Sequence, residues 1–240
     1  MKKRVIIFTL AFIFLYNSNA QSKYIAGYLF SAEHSGKIKK SWDYNLSCNA
    51  YFPLINIQKP DLHADAAFYK FYFDAGLTYT LNKYFSFSGS YAYERINVLQ
   101  SNYTNENRLY VQALYRYTLG NVNLRYRLRF DNRFVHDRTT DQTPYTHRLR
   151  FLTGLNTPVK SSNNNLYFNS YEELYFNTTK NASSVFTENK LYGGFGIKAT
   201  THHRIEAGIL YNVVRLNKID WFHQFYLQLS FISNLAFTKK

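Results

Sequence analysis

The sequence is poor in cysteine, methionine, proline and tryptophan. Its 240 residues include one Cys, one Met, four Pro and two Trp. A single cysteine excludes a disulfide framework and a zinc site built from several cysteines. The sequence also lacks runs of about 20 apolar residues, which excludes a bundle of membrane-spanning helices. Its apolar content of 46% is nevertheless too high for a disordered chain.

Aromatic residues and positive charge are abundant instead. There are 23 Tyr and 21 Phe, and the formal net charge is +14. The mean hydropathy is only −0.38, so the aromatic side chains are interspersed with polar ones. A charge of this sign attracts nucleic acids and other anions. The length fits a single domain.

The N-terminus has the three parts of a secretory signal peptide. Lys2, Lys3 and Arg4 precede the apolar run of residues 5–16, and a small-residue triplet ends at Ala20. The apolar run is too short for a membrane anchor, which needs about 20 residues. We therefore predict cleavage near Ala20, which lowers the net charge to +11 because three basic residues are removed. An exported protein is not expected to bind nucleic acid.

The remaining chain shows a hydrophobic period of two residues over long segments. Apolar side chains alternate with polar ones over 69–81, and the alternation resumes over 85–94 after a short polar turn. Period two predicts β-strands with one apolar and one polar face. Several of these segments exceed the roughly 5–6 residues usual for strands of soluble proteins. The other candidate strands are 42–52, 108–117, 122–131, 145–155, 166–177, 186–199, 204–216 and 222–237.

Long alternating strands with aromatic residues at their ends are typical of outer-membrane barrels. We therefore predict an all-β fold, a transmembrane antiparallel up-and-down β-barrel of about 10 strands, with 12 as the alternative. The barrel is expected over residues 42–237 and a periplasmic segment over 21–41, although 24–31 also has strand character. An even number of strands places both termini in the periplasm. Closure is required because an open sheet edge in hydrocarbon leaves backbone groups unpaired.

This architecture implies a location in the outer membrane and a set of partners. The expected partners are outer-membrane lipid and lipopolysaccharide, together with the barrel-assembly machinery during biogenesis. Phe231, Leu235 and Phe237 continue the apolar face close to the C-terminus, as in the terminal strand that this machinery recognises. We expect a monomer without cofactor or metal.

Three strand segments are similar to a known family. Residues 124–130, 146–151 and 171–177 resemble an uncharacterised family of bacterial outer-membrane β-barrels, a domain-of-unknown-function family frequent in Bacteroidota. The resemblance covers roughly residues 42–237. It implies a barrel in the outer membrane, and it supplies neither an activity nor catalytic residues.

The polar faces carry many charged side chains, which we expect to line the lumen. Arg–Glu pairs could fill a narrow lumen, since buried charges must be paired. Alternatively, an excess of arginine could form a narrow passive pore that favours anions. The predicted function is therefore structural or a narrow anion-leaning pore. The basic candidates are Arg108, Arg116, Arg125, Arg127, Arg129, Arg148, Arg150 and Arg204, and the acidic ones are Glu94, Asp131, Glu172, Glu188 and Glu206.

A hydrolase is the alternative function. The predicted external loops contain His63 between two aspartates in 61–65, and His136 followed by Asp137 and Asp141. A neutral histidine that is oriented by a carboxylate can activate water for a protease-like reaction. A lipase-like reaction would instead need a serine beside a histidine of the outer wall.

Overall fold

The structure is a computed structural model that describes residues 22–58, 61–63, 68–159, 165–179, 185–217 and 220–235. The predicted signal peptide and Phe237 lie outside these residues. The described residues contain no helix long and apolar enough to cross a membrane. Their strands are β1 (Ser22–Lys39), β2 (Trp42–Gln58), β3 (Asp61–His63), β4 (Lys70–Thr80), β5 (Phe85–Ile96), β6 (Thr104–Leu119), β7 (Val122–Asp137), β8 (Tyr145–Pro158), β9 (Leu166–Asn177), β10 (Phe186–Lys198), β11 (His203–Arg215) and β12 (Trp221–Asn234).

The strands form one closed barrel, which confirms the predicted all-β barrel fold. Each long strand pairs antiparallel with the next along the chain, and β1 and β12 close the wall by pairing in parallel. β3 is a three-residue strand that pairs only with β2. The wall therefore has eleven strands.

The difference between eleven strands and the predicted ten is due to β1. Residues 22–39 lie in the wall, paired with β2 on one side and β12 on the other, where the sequence suggested a periplasmic segment over 21–41. A chain that reverses at every strand can close an odd-numbered barrel only through one parallel pair. The parallel ladder between β1 and β12 is that pair.

The connections define two ends of the barrel. The turn end carries 40–41, 81–84, 120–121, 159–165 and 199–202, and the loop end carries 59–69, 97–103, 138–144, 178–185 and 216–220. The connections of the turn end are shorter than those of the loop end, with 159–165 as the exception.

The first and last described strands place the chain ends on opposite sides. β1 begins at the loop end, where Ser22 pairs with Trp221, and β12 finishes at the turn end, where Asn234 pairs with Ser35. The expectation that both termini share one side is therefore wrong for these strands. In an up-and-down wall with an odd number of long strands, the first strand begins at one end of the barrel and the last strand finishes at the other.

The two faces of the wall differ as the two-residue period predicts. On the outer face Leu77 is 48% exposed and Val111 is 62% exposed, whereas on the inner face Asp74 and Ser86 are buried. Aromatic residues lie on the outer face near both ends. Those near the turn end include Trp42, Tyr79, Tyr84 and Tyr117, and those near the loop end include Tyr24, Phe134, Tyr145 and Trp221.

Gly27 allows β1 to approach β2 where their register shifts. The shift lies between Ala26 and Gly27, and a Cβ on Gly27 would overlap the carbonyl oxygen of Phe52. We expect Gly27→Ala to lower the free energy of unfolding by about 1–3 kcal/mol, because the backbone must move. Gly89→Ala is the matched control, since a Cβ there meets nothing within 4 Å. Urea unfolding of the purified protein, followed by heat-modifiable gel mobility, measures both changes, and equal losses would contradict this account.

Candidate functional site: the charged lumen

The inner face of the wall brings charged side chains from neighbouring strands together. Because side chains of one strand alternate between faces, β7 directs Arg125, Arg127, Arg129, Asp131 and Arg133 into the lumen. Their cross-strand neighbours on β6 and β8 add further charges at matching heights. We call the resulting set of paired charges the ion-pair network. Its members are Glu106, Arg108, Arg127, Asp131, Arg133, Arg148, Arg150, Glu173, Glu188 and Lys190.

Asp131 is fully buried in the network and is surrounded by three guanidinium groups. Its Oδ2 lies 3.1 Å from Nε of Arg148, 3.7 Å from Nη1 of Arg150 and 4.0 Å from Nε of Arg108. A buried carboxylate is tolerated only where cations and hydrogen bonds replace its hydration. Asp131 in turn reduces the repulsion among the three arginines.

Glu173 has the most complete set of donors. Arg150 donates two parallel hydrogen bonds of 2.8 Å to its two oxygens, and Arg127 donates one of 2.6 Å. The hydroxyl of Tyr175 donates a further bond of 2.9 Å. Such a bidentate arginine–carboxylate pair is among the strongest polar contacts in proteins.

Glu106 joins two arginines that would otherwise repel each other. Arg108 and Arg133 are direct cross-strand neighbours, and like charges in that position are destabilising. Glu106 accepts a bond of 2.7 Å from Nε of Arg108 and two bonds of 2.7 Å from Arg133. The three side chains together therefore carry a net charge of +1, and the glutamate screens the two arginines from each other.

An apolar cluster fills the lumen beside the network. Its residues come from the inner faces of β1, β2, β10, β11 and β12, toward the loop end. The rings of Tyr51 and Tyr226 pack edge to face with centroids 5.1 Å apart. The network and this cluster together occupy the loop-end half of the barrel. The buried members of the cluster are Ile25, Leu29, Tyr51, Tyr192, Leu210, Phe222 and Tyr226.

A polar cavity of about 400 Å³ lies in the lumen. Its lining includes Glu33 and Arg204, whose side chains are exposed near the turn end, and it continues past Arg129 and Arg150 to Lys70 and Glu94 near the loop end. We call this lumen the cup. It is open at the turn end and narrows among the buried residues of the ion-pair network and the apolar cluster toward the loop end.

Four arginines of the turn-end half have no carboxylate within 4 Å among the described residues. Arg129 is only 6% exposed; its Nε donates to Oε1 of Gln112 at 2.9 Å. Arg125 donates to Oδ1 of Asn169 at 3.3 Å, and Arg116 to the Ser86 hydroxyl at 3.3 Å. The remaining one is Arg204, at the mouth of the cup.

The other acids of the lumen are held by hydroxyl and amide groups or by lysine. Glu206 accepts bonds from the Tyr167 hydroxyl at 2.7 Å and from Nδ2 of Asn169 at 3.0 Å. Glu94 lies 4.0 Å from Nζ of Lys70, and Glu188 lies 3.2 Å from Nζ of Lys190. These acids therefore do not neutralise the four arginines.

The structure places the predicted lumen residues on the inner face with one exception. Glu172 lies on the outer face, where it accepts a bond of 3.1 Å from Nδ2 of Asn189, and its neighbour Glu173 points inward. The prediction for Glu172 is therefore corrected to Glu173. Tyr171 and Tyr175 lie on the inner face of β9 together with Glu173, so aromatic residues do not mark the outer face of this strand.

Sequence reasoning also missed three partners of the network. Glu106 lies two residues before Arg108 on β6, and Arg133 lies two residues after Asp131 on β7. Both therefore share the inner face with their predicted neighbours, and strict alternation alone would have found them. Lys190 would have been found in the same way, since it lies two residues from Glu188 on the same face of β10; only its position facing Glu173 depends on the register between β9 and β10.

The loop histidines do not form a catalytic arrangement within the described residues. Nδ1 of His136 lies 3.0 Å from the Thr143 hydroxyl, but Asp141 is 78% exposed and 3.9 Å from Nε2, beyond hydrogen-bond distance. His147 and His223 contact Asn132 and Tyr211 rather than a serine. The side chain of His63, and Asp65, lie outside the described residues.

Comparison with known proteins gives a family. The sequence matches the family described as "Protein of unknown function (DUF2490)" over residues 26–223. The chain belongs to this family. The match runs from β1 into β12 and confirms the predicted resemblance to an uncharacterised family. No curated protein and no solved structure matches the chain. Membership in the family therefore supplies no activity for the charged lumen.

Proposed function

We propose that the protein is a structural β-barrel of the outer membrane whose lumen is sealed at the loop end. The observation that carries this proposal is the filling of the loop-end half by the ion-pair network and the apolar cluster. The barrel has a wall suited to lipid, and buried paired charges such as Glu106, Arg108 and Arg148 narrow the lumen in its loop-end half. A structural role therefore fits the geometry better than passive transport.

The outer face supports insertion into a membrane. On β6 the outward residues from Leu109 to Tyr117 are apolar or aromatic, and Asn107 and Asn105 follow toward the loop end. With Leu119, which continues this face at the turn end, ten steps at roughly 3.3 Å cover about 33 Å of strand. At a tilt of roughly 40° this stretch spans about 25 Å, the height of the apolar band of outer-membrane barrels. The aromatic residues at both ends suit the two membrane interfaces. Outer-membrane lipid and lipopolysaccharide are the proposed partners of this face.

The closed wall supports the same location. Every long strand has a hydrogen-bonded neighbour on each side, as a wall in hydrocarbon requires. The signal sequence predicted over residues 1–20 would deliver the chain to the periplasm, from which the assembly machinery inserts barrels. Short turns then face the periplasm and the longer loops face the outside. The cup opens toward the periplasm in this orientation.

An anion-leaning pore is the second candidate function. It is favoured by Arg116, Arg125, Arg129 and Arg204, which have no carboxylate within 4 Å among the described residues. Rings of such side chains favour anions in channels. The pore would require the loop-end half to open, and the bidentate contacts of Glu173 with Arg150 oppose that movement.

Planar-bilayer recording separates the two functions. We expect the purified full chain to give no current steps, because the loop-end half is filled. Insertion is verified in parallel by flotation of lipid vesicles that retain the protein after a urea wash. Stable anion-selective steps would overturn the sealed barrel in favour of the pore. Failure to remain with the vesicles would overturn the membrane location.

A further inference from the structure

Arg129 is a buried cation that lacks a counterion within the described chain. It is 6% exposed, and its guanidinium carbon lies 3.8 Å from the centre of the Tyr110 ring. Its one hydrogen bond with a side chain is the 2.9 Å bond to Gln112, a neutral amide. Burying a charge without a compensating partner is costly, so this arrangement calls for an anion.

The surroundings of Arg129 make the need for an anion greater. Arg150 is its direct cross-strand neighbour, and Arg127 lies two residues along the same face of β7. Both neighbours already form salt bridges with Glu173, Arg127 at 2.6 Å and Arg150 at 2.8 Å. Like charges in adjacent positions repel. An anion between Arg129 and Arg127 would remove this repulsion without disturbing the existing pairs.

The acids around Arg129 have other partners: Asp131, two residues along the same face of β7, contacts Arg148 and Arg150, and Glu173 contacts Arg127 and Arg150. Asp74, which is bonded to Tyr110, is engaged as well. Asp74 accepts hydrogen bonds from the hydroxyls of Tyr72 and Tyr110, and its other oxygen accepts one from Asn45 at 3.3 Å. Tyr110 thus uses its hydroxyl on Asp74 and its ring on Arg129. The tyrosine separates the carboxylate from the guanidinium, and the face of Arg129 that borders the cavity remains available.

The cavity has the size and chemistry of a site for a small molecule. Its volume of about 400 Å³ falls within the 300–1,000 Å³ range of such sites. Arg127 and Arg129 border it, with Gln112 beside them. A guanidinium group presents a planar fork of donors that fits carboxylate or phosphate oxygens. Arg204 at the mouth attracts the same class of ligand from the turn end.

We propose that the turn-end half of the lumen is a binding site for a small organic anion. The carboxylate or phosphate group of the ligand contacts Arg129 and Arg127, and the rest of the ligand occupies the polar cavity. The ligand enters from the turn end. The inference goes beyond the proposed function, because binding requires the cavity and not a sealed loop end.

Isothermal titration calorimetry of the full chain in a neutral detergent tests the site. The probes are inorganic phosphate, glycerol 3-phosphate and succinate, which distinguish phosphate from carboxylate ligands. We expect saturable binding of at least one probe. Arg129→Gln should weaken this binding about tenfold or more, since a charge-assisted hydrogen bond is lost. Arg95→Gln is the matched control: it removes the same charge from the outer face, where Arg95 stacks on Tyr103 at 3.8 Å, and should leave the affinity unchanged.

A conservative variant separates loss of the site from loss of the fold. Arg129→Lys keeps the charge but removes the planar fork, so its affinity should lie between wild type and Arg129→Gln. Heat-modifiable gel mobility verifies that each variant is folded. Absence of binding for all three probes would overturn the site, and so would unchanged affinity in folded Arg129→Gln. A current in the bilayer experiment would overturn only the sealed barrel, so the two failures are distinguishable.

Discussion

Replacing Glu173 with glutamine is expected to lower the free energy of unfolding by about 3–5 kcal/mol, the usual cost of removing one partner of a buried ion pair. Glu173 receives two hydrogen bonds from Arg150 and one from Arg127. A neutral amide cannot match the two parallel bonds from Arg150. Arg127 would then lose its salt bridge, and Arg150 would keep only the longer contact of 3.7 Å with Asp131. Urea unfolding of the purified protein measures the loss.

Glu172→Gln is the matched control for this experiment. The two glutamates are adjacent in sequence, but Glu172 lies on the outer face with Asn189 as its hydrogen-bond partner. Removing its charge from the outer face should leave stability unchanged or raise it slightly, as expected for the proposed contact with lipid. A larger loss in Glu172→Gln than in Glu173→Gln would show that the inner and outer faces of β9 are assigned the wrong way round.

Epitope tags at the two ends of the barrel are expected to be accessible from opposite sides of the outer membrane. A tag placed before Ser22, after the predicted signal sequence, should bind antibody on intact cells, because β1 begins at the loop end beside Trp221. A tag after Lys240 should bind only once the outer membrane is permeabilised, because β12 finishes at the turn end. On intact cells we expect antibody to bind the first tag fully and the second tag not at all, since the two tags lie on different sides of a sealed bilayer.

A third tag completes the topology experiment. Inserted in the connection 138–144 between β7 and β8, it should be accessible on intact cells like the tag before Ser22. If the tags before Ser22 and after Lys240 both require permeabilisation, the chain ends share one side. The parallel pairing of β1 with β12 would then be wrong. Equal access to all three tags on intact cells would be incompatible with a spanning barrel.

The division into inner and outer faces was largely predictable because it depends on local alternation. On β7 three arginines alternate with Tyr126, Leu128 and Phe130, and the structure places the two sets on opposite faces. This contrast needs no knowledge of neighbouring strands. The alternation of side chains along each strand therefore identified most of the residues that line the lumen.

β1 was not counted as a wall strand because adding 24–31 alone to the ten predicted strands would have given an odd number, and the first half of β1 is apolar on both faces. Ile25 and Leu29 point into the apolar cluster, while Tyr28 and Phe30 face outward. A strand that is apolar on both sides has no two-residue contrast. Its membership in the wall depends on pairing with a strand almost 200 positions away, which local alternation does not encode.

The partners within the lumen were beyond sequence reasoning for a related reason. Asp131 meets Arg148 and Arg150 because of the register between β7 and β8, and Glu173 meets Arg127 across β8. Register is decided by many contacts along each ladder together. Residue types and spacing can show that charges face inward, whereas only the assembled wall shows which of them remain without a partner.

The parallel ladder between β1 and β12 also determines the order in which the barrel can form. All the other long-strand neighbours are consecutive along the chain, so each hairpin can form from a short loop with little loss of chain entropy. The ladder from Ser22↔Trp221 to Ser35↔Asn234 instead joins the two ends of the described chain. It can form only after the eleven strands are in place, and parallel pairing is slightly weaker per residue than antiparallel pairing. This ladder is consequently the last to form.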